Sequence, residues 1–201
     1  MIYDLIPYPK KVRTLFVLES PHTDELSMGY PVAGETGKNM SRAILKDDSV
    51  ALGRLLYEQN ELVEEYGIFN SCQFPLGLAD DLADREKEFS KIKDIEQGSN
   101  RSENYRNLSK FLDIYQDLDA VLHYKRRLTQ IINDSPTIET IVFCGFIAQA
   151  IFLNLYPTIP IPPFNRIHIL QNPKTGVSKK ILFVNHPSEI NGNKWVYTHL
   201  K

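Results

Sequence analysis

Val12-Arg13-Thr14-Leu15-Phe16-Val17-Leu18 opens the reading of this chain. It is a short, nearly continuous apolar run rather than an alternating one, the pattern of a strand buried on both faces. Directly behind it stands Glu19-Ser20-Pro21-His22, a cluster of polar and turn-forming side chains. The same arrangement recurs downstream. Gly67-Ile68-Phe69 runs into Asn70-Ser71-Cys72-Gln73-Phe74-Pro75. Ile138 to Cys144 runs into Gly145-Phe146-Ile147-Ala148. Lys180 to Val184 runs into Asn185-His186-Pro187-Ser188. Helical stretches separate these strands. Asn39 to Tyr57 carries apolar residues at helical spacing, with a break near Lys46-Asp47-Asp48. Leu118 to Asn133 is amphipathic through Leu118, Val121, Leu122, Leu128, Ile131 and Ile132, and Phe146 to Leu155 reads as a further helix. Strands alternating with helices predict an α/β fold with a mainly parallel sheet. In such a sheet, loops leaving the carboxyl ends of the strands build the ligand site. Four polar loops in that position predict one shared pocket.

The remaining chain fits the same frame. Its 201 residues suit a single domain spanning 1–201, and a makeup of 42% hydrophobic and 24% charged residues is that of a globular protein. Arg166 to Leu170 reads as a further strand that pairs with Lys180 to Val184 as a hairpin, with Asn172-Pro173-Lys174-Thr175-Gly176 as its turn. A short segment around Trp195 reads as helical. Residues 80–104 are dense in Asp, Glu, Lys and Arg with sparse apolar points at Phe89, Ile92 and Ile95. This charged insertion reads as an exposed helix flanked by loops, or as a lid over the pocket.

Composition removes several function classes. No apolar run is long enough to span a membrane. The start, Met1-Ile2-Tyr3-Asp4, lacks the basic and apolar stretches of a signal peptide, so the expectation is a cytoplasmic protein with no membrane partner. Cys72 and Cys144 are the two cysteines, too few for a four-thiolate iron–sulfur or zinc site, and the histidines do not fall at zinc spacing. No cofactor and no metal are expected. A net charge of −2 argues against coating nucleic acid by charge alone, while Lys125-Arg126-Arg127 and the lysines at 174, 179 and 180 leave room for a local basic groove or a solvated face.

The polar loops carry the candidate chemistry. His186, behind an apolar strand and held by Pro187, either faces the cleft or is a hydrogen-bonded structural histidine; His22 has a similar setting. Glu19 suits positioning of water or a base role, and equally a loop or helix cap. Asn70 presents an acceptor and a donor, a pair that suits the imide edge of a pyrimidine or the capping of a loop. Gly29-Tyr30-Pro31-Val32-Ala33-Gly34-Glu35-Thr36-Gly37 is a loop in which glycine permits close backbone approach. It is not a phosphate loop of the Walker kind: Val32 stands where the first glycine belongs and Asn39 follows Lys38. Ser20 and Ser188 lack the Gly-x-Ser-x-Gly setting of a hydrolase nucleophile.

Taken in order, these motifs resemble the uracil-DNA glycosylase superfamily, most closely its iron–sulfur type. That type's first motif runs Gly-Glu-Ala-Pro-Gly-x-x-Glu-Asp-x-x-Gly-x-Pro-Phe-x-Gly-x-x-Gly, and here Glu19, Pro21, Gly29, Pro31, Gly34 and Gly37 stand at matching spacing. Asn70 to Pro75 resembles the second motif, Gly145 and Ala148 a Gly-x-x-Ala turn, and His186-Pro187-Ser188 the His-Pro-Ser/Ala motif. The resemblance spans Leu15 to Ser188. It implies a three-layer α/β/α sandwich around a four-stranded parallel sheet. The implied activity is hydrolysis of the N-glycosidic bond of uracil or another deaminated base flipped from DNA. By the same resemblance, Glu19, Ser20 and His186 would be catalytic, and DNA the partner. Pro21, His22, Gly29, Val32, Gly34, Asn70 and Ser188 would hold the base and nearby phosphates. The chain departs from the pattern in four ways. Ser20 stands where some members carry a catalytic Asp, Val32 where the base-stacking Phe belongs, His22 where many relatives have glycine, and the cluster cysteines are absent. These departures point to an alternative, a catalytically weak or inactive nucleic-acid- or nucleotide-binding relative, and a third class, a hydrolase of free nucleosides.

Overall fold

Short runs of Val, Leu, Ile and Phe cannot be left facing water on either side, and in the fold they become the middle layer. A computed structural model describes residues 4–76, 83–95, 100–157, 159–162, 165–171 and 178–187. Its strands are β1 (Thr14–Leu18), β2 (Tyr66–Asn70), β3 (Thr140–Cys144), β4 (Ile167–Gln171) and β5 (Ser178–Val184). They form one sheet of order β2-β1-β3-β5-β4. The first four positions are mutually parallel, and β4 pairs antiparallel with β5 at the edge.

The expected α/β class and β4–β5 hairpin pairing are present. The expected four-stranded sheet is corrected to five, because β4 adds to the parallel set. Its alternating exposure shows why its sequence reads differently: Ile167 and Ile169 face solvent, as an edge strand allows, whereas β1 and β3 are buried throughout. The hairpin turn, the Trp195 segment and Ser188 lie outside the described residues.

Side chains alternate between two cores. Leu15, Val17, Phe69, Ile141, Phe143, Ile181 and Phe183 face one core. It is roofed by α4 (Asp84–Ser90), α5 (Arg101–Ile114), α6 (Asp119–Asp134) and α7 (Phe146–Leu155). Phe16, Leu18, Ile68, Val142, Cys144, Leu182 and Val184 face the other, under α2 (Glu35–Leu45) and α3 (Leu52–Tyr57). The single helix read over Asn39 to Tyr57 is thus two. Lys46 adopts a left-handed φ of 63° that ends α2 at the break seen in the sequence.

Three sequence readings are corrected. The stretch after β1, read as loop, contains a short helix α1 (Thr23–Met28) closed by left-handed Gly29. The charged insertion is only in part a solvated helix: Asp84, Arg85 and Glu88 of α4 are exposed. Among its described residues, α4 and a following 3-10 turn (Lys91–Asp94) drive Phe89 and Ile92 completely into the core, and Ile95 packs against it. Arg127, read as part of a basic run, turns inward. Its guanidinium lies 2.7 Å from both carboxylate oxygens of Asp4 and donates to the carbonyls of Asn70 (2.9 Å) and Ser71 (3.1 Å). Burial pushes the Asp4 carboxyl above its usual range, against the opposing pull of the Arg127 charge. This pair ties the N-terminal segment to the end of β2.

Candidate active site

The register aligns the strand ends. Leu18 pairs with Asn70, Val17 with Phe143, and Cys144 with Val184. Glu19, Ser71, Gly145 and Asn185 therefore leave the sheet at one level. The chain departs from β1 towards the α2–α3 layer and from β3 into α7 on the opposite layer. Between two neighbouring strands whose connections diverge a crevice must open. A cavity of about 470 Å³ lies there, lined by residues that include Glu19, Ser20, Pro21, His22, Gly34, Lys93, Gly145, Phe146 and His186.

Glu19 crosses the crevice to α7. Its Oε1 accepts the Ile147 backbone N–H at 3.3 Å, a carboxylate at a helix N-terminus. Gly145 makes this approach feasible. It has a φ of 90°, and a Cβ built there would stand 2.3 Å from Glu19 Oε1. The Gly-x-x-Ala turn singled out in the sequence is in this respect a cradle for Glu19.

Gln149 holds the two strand ends beneath the cavity. Its Nε2 donates to the carbonyls of Phe143 (3.0 Å) and Val184 (2.7 Å), and its Oε1 accepts from the Tyr105 hydroxyl at 2.6 Å. His186 follows β5, and the next carbonyl, that of Pro187, accepts from Asn39 Nδ2 of α2 at 3.0 Å. The imidazole is thus carried on a segment tied to two layers. Burial in the cavity wall lowers the His186 pKa to about 4, helped by the nearby charges of Lys93 and His22. At neutral pH the ring is uncharged and presents one N–H donor.

The glycine-proline loop is shaped from below. Glu25, buried at the cavity edge, accepts the backbone N–H groups of His22 (2.8 Å) and Val32 (2.6 Å). Val32 takes a left-handed φ of 50° and is wholly buried among the α2–α3 core residues. Gly37 and Gly53 admit the carbonyls of Val32 and Pro31 where a Cβ would stand 1.9 Å away. Gly37 therefore serves helix packing rather than ligand approach.

Of the residues expected at the site, Glu19, Ser20, Pro21, His22, Gly34 and His186 come together on the cavity wall. Gly29, Val32 and Asn70 do not line it. Gly29 caps α1 at the surface, and Val32 faces the core. Asn70 is buried on β2, one strand further out, with Nδ2 lacking a hydrogen-bond partner among the described residues. Ser20 Oγ accepts the Leu76 N–H at 3.4 Å.

Three lining residues escaped the sequence reading, each with a legible signal. Glu25 stands three residues after His22, at capping-box spacing. Gln149 is one of two amides, with Asn154, in an otherwise apolar helix. Lys93 sits between Ile92 and Ile95, whose spacing from Phe89 marked a docked face.

Among the described residues no group of three His, Cys, Asp or Glu side chains is arranged to hold a metal ion, and no helix is long and apolar enough to cross a membrane. Burial raises the Cys72 thiol to about 12 and the Cys144 thiol well above its ordinary value, which leaves both protonated and unreactive. No protein-family model matches this sequence, and no curated protein matches it.

Proposed function

We propose that this cavity is the active site of a DNA glycosylase that hydrolyses the N-glycosidic bond of uracil or another deaminated base flipped out of DNA. The observation that carries the reading is the presence of Glu19 and a neutral His186 in the lining of one cavity, from the carboxyl ends of β1 and β5. In this chemistry the C1′–N bond breaks with its electron pair leaving on the base. Water adds to C1′, and its proton passes through solvent to the departed base. A neutral imidazole is suited to donate its N–H to the base oxygen as charge develops there. Glu19, held on the N-terminus of α7, orients the water. A flipped nucleotide enters between the strand ends, with Gly34 and His22 at the rim.

A second reading is a binding module of the same fold. Two observations favour it: Val32 turns its side chain into the core, so the glycine-proline loop offers no stacking ring, and Ser20 stands where a carboxylate would orient water.

The test is incubation with labelled oligonucleotides carrying uracil, hypoxanthine, xanthine or a thymine mismatch, followed by alkaline cleavage of abasic sites. The parent should release base, and His186→Ala should lose roughly two to three orders of magnitude in rate. Ser20→Asp should raise the rate. Release of no base by either the parent or Ser20→Asp, from single- or double-stranded DNA, replaces the enzyme reading with the binding reading.

A further inference from the structure

The charged insertion delivers one side chain to the cavity. Phe89 and Ile92 are fully buried, so the 3-10 turn of Lys91–Asp94 is fixed to the core and Lys93 is carried to the wall that also holds His186. Among the described lining residues Lys93 is the only lysine or arginine. No described carboxylate forms an ion pair with it. The titratable groups sharing the wall are Glu19, His22, Glu25, Glu35 and His186. Glu25 is committed to two backbone N–H groups, and Glu19 accepts one from α7. The imidazole is uncharged at neutral pH. A neutral donor shares charge with an anion but does not neutralise it. A cation with no acid partner among the described residues, exposed at the cavity lining beside that donor, is placed to do so.

We propose that Lys93 is a catalytic residue: its ammonium meets the negative charge that develops on the departing base beside His186. This rests on the glycosylase reading above and adds a group that the motif resemblance does not contain. Lys93 keeps its proton throughout. Its interaction strengthens as the C1′–N bond breaks, because only then does the base carry the electron pair.

The experiment uses the whole chain with Lys93→Met and Lys93→Arg. Lys93→Met should lower kcat and kcat/KM together by roughly 100-fold, the mark of an interaction made in the transition state. Lys93→Arg should retain most of the activity. A raised KM with unchanged kcat would instead mean a ground-state contact, such as a phosphate, and would overturn the proposal.

Two arms do not need turnover. The His186 titration followed by NMR should move to higher pH in Lys93→Met, since a nearby cation is removed; an unmoved midpoint would place Lys93 away from the imidazole and overturn the proposal. Barbiturate, a pyrimidine that is anionic at neutral pH, should bind the parent more tightly than neutral uracil, and Lys93→Met should abolish that preference. Equal binding of the two by the parent overturns the role of Lys93 alone. Binding of neither overturns the glycosylase reading along with it.

Discussion

Replacing Gly145 by alanine should separate backbone strain from the loss of one placed carboxylate. At a φ of 90° and a ψ of 163°, a region that glycine alone adopts readily, an L residue costs about 1–3 kcal/mol. The new methyl would also lie 2.3 Å from Glu19 Oε1, so the flexible Glu19 side chain must swing away. That move gives up the bond to the Ile147 N–H, a charge-assisted contact worth about 1.5–3 kcal/mol. The sum is about 2.5–6 kcal/mol, or a fall in Tm on the order of 10 °C for a chain of this length. Gly29→Ala is the control. Its φ is 81°, but a Cβ there meets nothing within 4 Å, so strain alone, about 1–2 kcal/mol, should appear. In a Glu19→Ala background the contact is already gone, and Gly145→Ala should cost its backbone strain alone, about 1–3 kcal/mol. Urea unfolding of the four variants gives the coupling between positions 19 and 145, expected near 2 kcal/mol. Equal costs for the two glycine substitutions, or additivity between Glu19→Ala and Gly145→Ala, would refute the cradle.

Stability should also depend on pH through His186. Its folded pKa of about 4 lies below the ordinary value near 6.5, so the unfolded chain binds the proton first. Stability should therefore fall by up to about 3 kcal/mol as pH drops from 6.5 towards 4, and His186→Asn should flatten that part of the curve in urea titrations. Phe89→Ala should destabilise by about 3–5 kcal/mol and Ile92→Ala by about 2–5 kcal/mol, because both side chains are fully buried; costs below 1 kcal/mol would mean that the charged segment is not docked. Arg127→Met strands the Asp4 carboxylate in a buried site and should cost about 3–5 kcal/mol in the same assay, whereas a neutral result would deny the ion pair a structural role.

The sequence by itself determined the layer plan. Strand segments sandwiched by helices must be apolar on both faces, and the runs at 15–18, 141–144 and 181–184 state this without reference to the rest of the chain. The same logic puts polar loops at their carboxyl ends, so Glu19 and His186 could be singled out before any coordinates. What the sequence left open depends on which face a side chain takes and which distant segment it meets. Asn70 ends a strand like Glu19 follows one, yet the order β2-β1-β3-β5-β4 sets β2 one strand away from the crevice. Val32 stands at a motif position, but a left-handed backbone held by the Glu25 carboxylate turns it into the core. Lys93 lies in a stretch whose charge density reads as solvated. Only the packing of Phe89 and Ile92 against the helices beyond it fixes that stretch over the cavity. Local composition determines which segments must be buried. The three-dimensional path of the chain decides which of the remaining polar groups share a site.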